Sequence, residues 1–159
     1  GHPLDAITTV EARPQTVTAG PFRVQFLPVA HSIPESAALV IDTPAGRILH
    51  SGDFKLDETP VVGEGWNADL FDEVSRETPI RALMCDSTNV FSLHAGRSES
   101  TLRDPIRDLI RSAKGMVVAT TFASNVARLK TLAEAARAAG RSVCLLGRAM
   151  QRMVRAAQE

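Results

Sequence analysis

Three apolar runs in this chain each end on a residue that can carry chemistry, and no other feature constrains the fold as tightly. Phe22-Arg23-Val24-Gln25-Phe26-Leu27-Pro28-Val29-Ala30 begins with two-residue alternation, turns continuously apolar and ends at His31. Arg47-Ile48-Leu49-His50 leads through Ser51-Gly52 to Asp53, and Ile80-Arg81-Ala82-Leu83-Met84-Cys85 leads to Asp86. Continuous apolar runs of this length suit strands of a sheet covered on both faces. Polar groups at the carboxyl ends of such strands are where α/β folds assemble their sites. The expectation is that His31, Asp53 and Asp86 converge.

The turn chemistry supports strands here. Ala38-Leu39-Val40-Ile41-Asp42 and Arg47-Ile48-Leu49-His50 flank Thr43-Pro44-Ala45-Gly46, which predicts a hairpin. Pro60, Gly63 and Gly65 mark a loop from Asp57 to Gly65, and a short helix is predicted around Asp69 to Arg76. Beyond Asn89 the pattern changes. Val90 to Ser98 is loop-like, and helices then alternate with runs suited to parallel strands, so a lobe boundary is placed between residues 89 and 90. Asp104-Pro105 fits a helix N-cap with proline at the first position; the alternative is a start at Ser98 with a kink at Pro105. Gly115 to Phe122 and Val143 to Leu146 read as strands. Between them Ser124-Asn125 is placed to cap a helix that Gly140 stops. A closing helix through Met150, Met153 and Val154 completes a β-α-β-α series of Rossmann-like type.

Composition narrows the function classes. The 159 residues are 44% hydrophobic, enough for one ordinary core or two small lobes. No run of 18 apolar residues and no leader pattern occurs, so the expectation is a cytoplasmic chain without a membrane partner. Eighteen basic residues balance eighteen acidic ones, and aromatics make up 4%, so neither net charge nor a stacking platform argues for nucleic acid. Cys85 and Cys144 each sit in an apolar run and read as inert buried thiols, not as a disulfide or a metal pair. The opening Gly1-His2-Pro3 and the close at Gln158-Glu159 suggest a piece cut from something longer.

The motifs around the three strand ends resemble those of one family. Ala30-His31-Ser32-Ile33-Pro34-Glu35-Ser36 and Ser51-Gly52-Asp53-Phe54-Lys55 are similar to the third and fourth metal motifs of the metallo-β-lactamase fold as ribonuclease J carries them, where the fourth reads Thr or Ser before Gly-Asp. Cys85-Asp86-Ser87-Thr88-Asn89 resembles the first motif of the inserted β-CASP domain, and Ala119 to Asn125 with Leu145 to Met150 resembles the start of that insertion. The resemblance implies an α/β architecture: a partial metallo-β-lactamase αββα sandwich over residues 1–89, followed by the start of a Rossmann-like β-CASP insertion over residues 90–159. It implies that His31 ligates one metal, that Asp53 bridges two, and that Asp86 lies near them and supports a histidine later in the chain.

The same resemblance implies two divalent metals, zinc or manganese, in the complete enzyme, and RNA as the partner. The complete enzyme would hydrolyse RNA phosphodiesters as an endonuclease and 5′ to 3′ exonuclease. The family's His-x-His-x-Asp-His motif and its later histidines do not occur here. Two ligands cannot fix two metals, so the chain alone is expected to bind none stably and to be inactive. His50 is read as a strand residue, with a place behind the ligands as the lesser alternative, His94 as a loop residue and Lys55 as solvated, with phosphate steering as its lesser alternative; Ser124 and Asn125 are read as a helix cap or as RNA contacts. Two other functions remain open: a metal-free RNA-binding or assembly module, and a small-molecule hydrolase of the metallo-β-lactamase type. Strand edges exposed by the missing part would favour a homo-oligomer.

Overall fold

A computed structural model describes residues 7–12, 15–94 and 96–158. Gly1-His2-Pro3 and Glu159, which carried part of the reading of the chain's ends, lie outside the described residues. Five strands form one sheet in chain order: β1 (Thr16–Ala19), β2 (Phe22–Pro28), β3 (Ala37–Thr43), β4 (Gly46–His50) and β5 (Ile80–Met84). The first four make an antiparallel meander, and β5 joins β4 in parallel. A parallel neighbour needs a crossover, which α1 (Ala68–Glu77) supplies; the Asn67 side chain caps it by accepting from Asp69 N at 3.1 Å.

The hairpin expected around Thr43-Pro44-Ala45-Gly46 is the β3–β4 pair, with Thr43 opposite Gly46. Alternation decides which face is covered. Leu27 pairs with Ala38, and these two with Val29, Val40 and Val74 of α1 form the core, against which Leu49, Phe54, Trp66, Leu70 and Phe71 pack. Trp66 stacks on Phe71 with ring centroids 4.3 Å apart. Arg47 of β4, also buried, clamps sheet to helix: its guanidinium donates to both carboxylate oxygens of Asp42, to the Val74 carbonyl at 2.9 Å and to Glu77.

The second half is helical: a 3₁₀ turn at Glu99–Leu102, α2 (Arg103–Ser112), α3 (Val126–Ala138) and α4 (Arg148–Ala156). Ser98 caps the 3₁₀ turn, which runs directly into α2, and α2 itself starts at Arg103, one residue before the Asp104 cap expected from the sequence. Pro105 costs nothing there, because its missing N–H falls in the first turn, where donors have no intrahelical partner. α3 ends as the sequence predicts. Gly140 adopts φ +67°, and Arg141 N and Gly140 N return to the carbonyls of Ala136 and Arg137, the double bond of a Schellman close. Glu99 binds Arg128 through both carboxylate oxygens and fastens the 3₁₀ turn to α3.

Three expectations are corrected. Residues 115–122 and 143–146 are not strands; neither segment belongs to a ladder. A parallel strand exists only beside a neighbour that takes its N–H and C=O groups, and these runs have none among the described residues. Their side chains instead line, with Met150 and Val154 of α4, an open apolar concavity of about 790 Å³. Second, β5 is not buried: it is the sheet's edge, with Leu83 61% and Met84 55% exposed. Third, Cys85 and Cys144 are free but exposed, because each lies on one of these uncovered runs. No helix of the described residues is long and apolar enough to cross a membrane.

Candidate functional site

The turn after β4 is built around one hydroxyl. Ser51 N donates to the Met84 carbonyl at 2.9 Å, extending the β4–β5 ladder one step past its last paired residues, His50 and Met84. There the two backbones part, and the Ser51 side chain spans the gap. Its Oγ donates to the Gly52 carbonyl at 2.7 Å and accepts from Asp86 N at 2.8 Å. Gly52 turns the chain at φ +60°, and its N–H donates to His50 Nδ1 at 3.0 Å. His50 therefore does sit behind the Asp53 turn, holding its backbone through a ring nitrogen that must be unprotonated to accept.

Asp86 is held by a turn of its own. Oδ1 accepts from Thr88 N at 2.9 Å and from Thr88 Oγ1 at 2.6 Å. The two Thr88 hydrogen bonds, side chain first, hold the Asp86 carboxyl below the usual carboxylate value, with a smaller contribution from the charge of His31. That interaction places His31 within electrostatic reach of Asp86.

His31 follows β2 on a loop that is closed twice. Val29 N donates to the Ser36 carbonyl at 3.0 Å, and Lys55 N donates to the Ala30 carbonyl at 2.7 Å. The second bond belongs to an isolated antiparallel bridge pairing Ala30 with Lys55, so His31 lies one residue beyond the bridge and Asp53 two residues before it on the facing segment. Within the loop Glu35 is the one non-glycine residue among those described at positive φ, 58°. Left-handed backbone of this kind costs an L-residue about 1 kcal/mol or more, and it persists where surrounding bonds over-determine it.

The segments bearing the three residues are thus linked by short hydrogen bonds, the Asp53 turn to Asp86 through the Ser51 hydroxyl and the His31 loop to the Asp53 turn through the Lys55 backbone N–H. Asp53 is exposed and His31 half-buried. Among the described residues no group of three or more His, Cys, Asp or Glu side chains is placed to hold a metal ion. His31 and Asp53 therefore do not amount to a metal centre on their own.

Asn125 borders the His31 loop from the start of α3. Asn125 Oδ1 accepts from Arg128 N at 3.0 Å and caps α3, and its residue lines a 20 Å³ pocket with His31, Ser32, Lys55, Asp57 and Glu99, room for about one water. Ser124 is half-buried and its carbonyl accepts from Val126 N. His94 is an exposed loop residue, and Lys55 is exposed. The residue that sequence reasoning missed is Ser51. Its only signal was its place between His50 and Asp53.

Among the described residues the chain is a mixed α/β structure with one five-stranded sheet and four α-helices. The family model described as Ribonuclease J, beta-CASP domain, matches residues 114–159. The ribonuclease J of Sinorhizobium meliloti is 41% identical over 151 residues, which is 95% of this chain and 27% of that protein. That of Mycobacterium tuberculosis is 38% identical over 145 residues, 91% of this chain and 26% of that protein, and that of Helicobacter pylori 34% identical over 144 residues, 90% and 20%. The resemblance drawn from the motifs is borne out: the chain is a ribonuclease J-like segment, and it spans about a quarter of the length of the first two of these relatives. The fold is also similar to a crystal structure of a protein of unknown function from Enterococcus faecalis, with a TM-score of 0.58 and 19% identity, covering 80% of this chain and 31% of that one.

Proposed function

We propose that this chain contributes two strand-end metal ligands and a supporting carboxylate to a ribonuclease J-type enzyme that hydrolyses RNA phosphodiesters, as endonuclease and 5′ to 3′ exonuclease. On this reading residues 1–89 belong to a metallo-β-lactamase αββα sandwich and residues 90–159 to the start of a β-CASP domain. His31 is a ligand of one divalent metal, zinc or manganese, Asp53 bridges two, and the remaining ligands come from outside this chain. Asp86 orients a histidine that is likewise outside it. Ser124 and Asn125, at the N-terminus of α3, face the backbone of bound RNA.

The observation that carries the reading is the Ser51 hydroxyl, which ties the turn of Asp53 to the backbone of Asp86 across 35 residues of sequence. That bond fixes the turn of Asp53 relative to Asp86, which is the arrangement a shared site requires. The similarity to ribonuclease J over 90% or more of the chain in each relative named supplies the chemistry.

The test is Asp53→Ala in a protein carrying this segment at the relatives' full length. Cleavage of RNA should fall on the order of 100-fold or more, since a bridging carboxylate is worth several kcal/mol to the transition state and each 1.4 kcal/mol is a factor of ten. Circular dichroism should not change, because the exposed side chain contributes no packing. Retained cleavage would exclude the role assigned to Asp53.

A further inference from the structure

We infer that Ser51 is a positioning residue, whose hydroxyl sets the geometry of Asp53 and Asp86 relative to one another. The inference rests on the functional reading above and deepens it. A serine hydroxyl has one proton to give and lone pairs to accept with, and here both capacities are used: the proton goes to the Gly52 carbonyl, one residue before Asp53, and the oxygen takes the N–H of Asp86 itself. The bonds are 2.7 and 2.8 Å, and Ser51 is 9% exposed, so solvent does not replace either one readily. The hydroxyl acts where the β4–β5 ladder ends and the two backbones separate. Past the end of the ladder it is this hydroxyl that joins the Asp53 turn to residue 86.

Alanine removes both bonds and leaves an N–H and a carbonyl without partners. Threonine keeps the hydroxyl, and it is the other residue found before Gly-Asp in the related motif. Residues that hold ligands in place cost about 10- to 100-fold in activity when lost. In the full-length protein Ser51→Ala should therefore lower kcat on RNA by about that factor and leave KM within about twofold. Ser51→Thr should restore kcat whereas Ser51→Val, of the same shape without the hydroxyl, should not, which separates the hydrogen bonds from filled volume.

The chain itself gives an independent readout. Hydrogen exchange followed by NMR should show the Asp86 amide exchanging on the order of tenfold faster in Ser51→Ala and near its original rate in Ser51→Thr, with the Leu27 and Val40 amides unaltered. Unchanged Asp86 exchange, or full kcat in Ser51→Ala beside an inactive Asp53→Ala, would overturn the inference and leave the functional reading standing. An active Asp53→Ala would remove the reading, and the role of Ser51 in catalysis with it. Should Ser51→Ala fail to fold, Ser51→Cys replaces it, with kcat expected between those of the serine and alanine proteins. Unfolding of both would make Ser51 a packing residue and refute the inference.

Discussion

Gly20 and Gly52 both adopt φ +60°, yet their surroundings differ, and that pairing isolates a single contact at the site. An alanine Cβ at Gly20 meets nothing within 4 Å. At Gly52 it would stand 2.9 Å from the Ala37 carbonyl oxygen. Neither side can easily retreat: Ala37 is held opposite Pro28 in the β2–β3 ladder, and Gly52 N is held by His50. Each substitution carries the left-handed penalty of about 1–2 kcal/mol, offset by about 0.4–1 kcal/mol because alanine also restricts the unfolded chain. Gly20→Ala should thus cost about 1 kcal/mol. Gly52→Ala adds an overpacking cost of about 1–3 kcal/mol, for a total of about 2–4 kcal/mol. At about 2–4 °C per kcal/mol for a chain of this size, Tm should fall by about 2–4 °C for Gly20→Ala and by roughly 4–16 °C for Gly52→Ala. Thermal and urea unfolding followed by far-ultraviolet circular dichroism measure both. A Gly52→Ala protein no less stable than Gly20→Ala would show that the turn before Asp53 yields, and would refute the claim that it is rigidly held.

Two further outcomes follow from the same bonds. Arg47→Met removes a buried guanidinium that serves Asp42, the Val74 carbonyl and Glu77, and should cost about 1.5–3 kcal/mol at pH 7 in urea unfolding. The hydrogen bond from Arg47 holds the Asp42 carboxyl below its usual value, so this stabilisation is complete above the unfolded carboxylate range near pH 4 and is lost as pH falls through the lower folded value. The gap between the two proteins should accordingly narrow below about pH 4; a gap independent of pH would assign the loss to packing. Ellman's reagent should titrate two thiols in the native protein without denaturant, since Cys85 and Cys144 are both free and exposed. Fewer than two would return one of them to the interior.

What was legible in the sequence is what a few adjacent residues decide. The β3–β4 hairpin is written in Pro44, Ala45 and Gly46, the cap of α3 in Asn125, and the close of α3 in Gly140; each depends on bonds that span no more than five residues. β1 was missed although Thr16-Val17-Thr18 is rich in β-branched residues, because the reading started from the longer apolar run at Phe22. Apolar runs misled wherever the outcome depended on a distant partner. Gly115 to Phe122 and Val143 to Leu146 have the composition of covered parallel strands, but composition does not supply the neighbour, and Met116, Val118 and Leu146 are left 90%, 79% and 81% exposed. Cys85 and Cys144 were read as buried for the same reason.

The site divides along the same line. His31, Asp53 and Asp86 announce themselves as polar groups ending apolar runs, and their motifs are contiguous in sequence. What fixes their relation is not contiguous. Ser51 reaches Asp86 across 35 residues and Lys55 reaches Ala30 across 25. A serine before Gly-Asp carries no local mark of such a role, since the same residue makes an ordinary turn. Its function becomes visible only once β4 and β5 are known to be neighbours in parallel register, because that register alone brings the end of one strand beside the end of the other. The three strand-end residues are marked in the sequence, whereas the bonds that relate their turns follow from topology, and a substitution at Ser51 separates the two contributions.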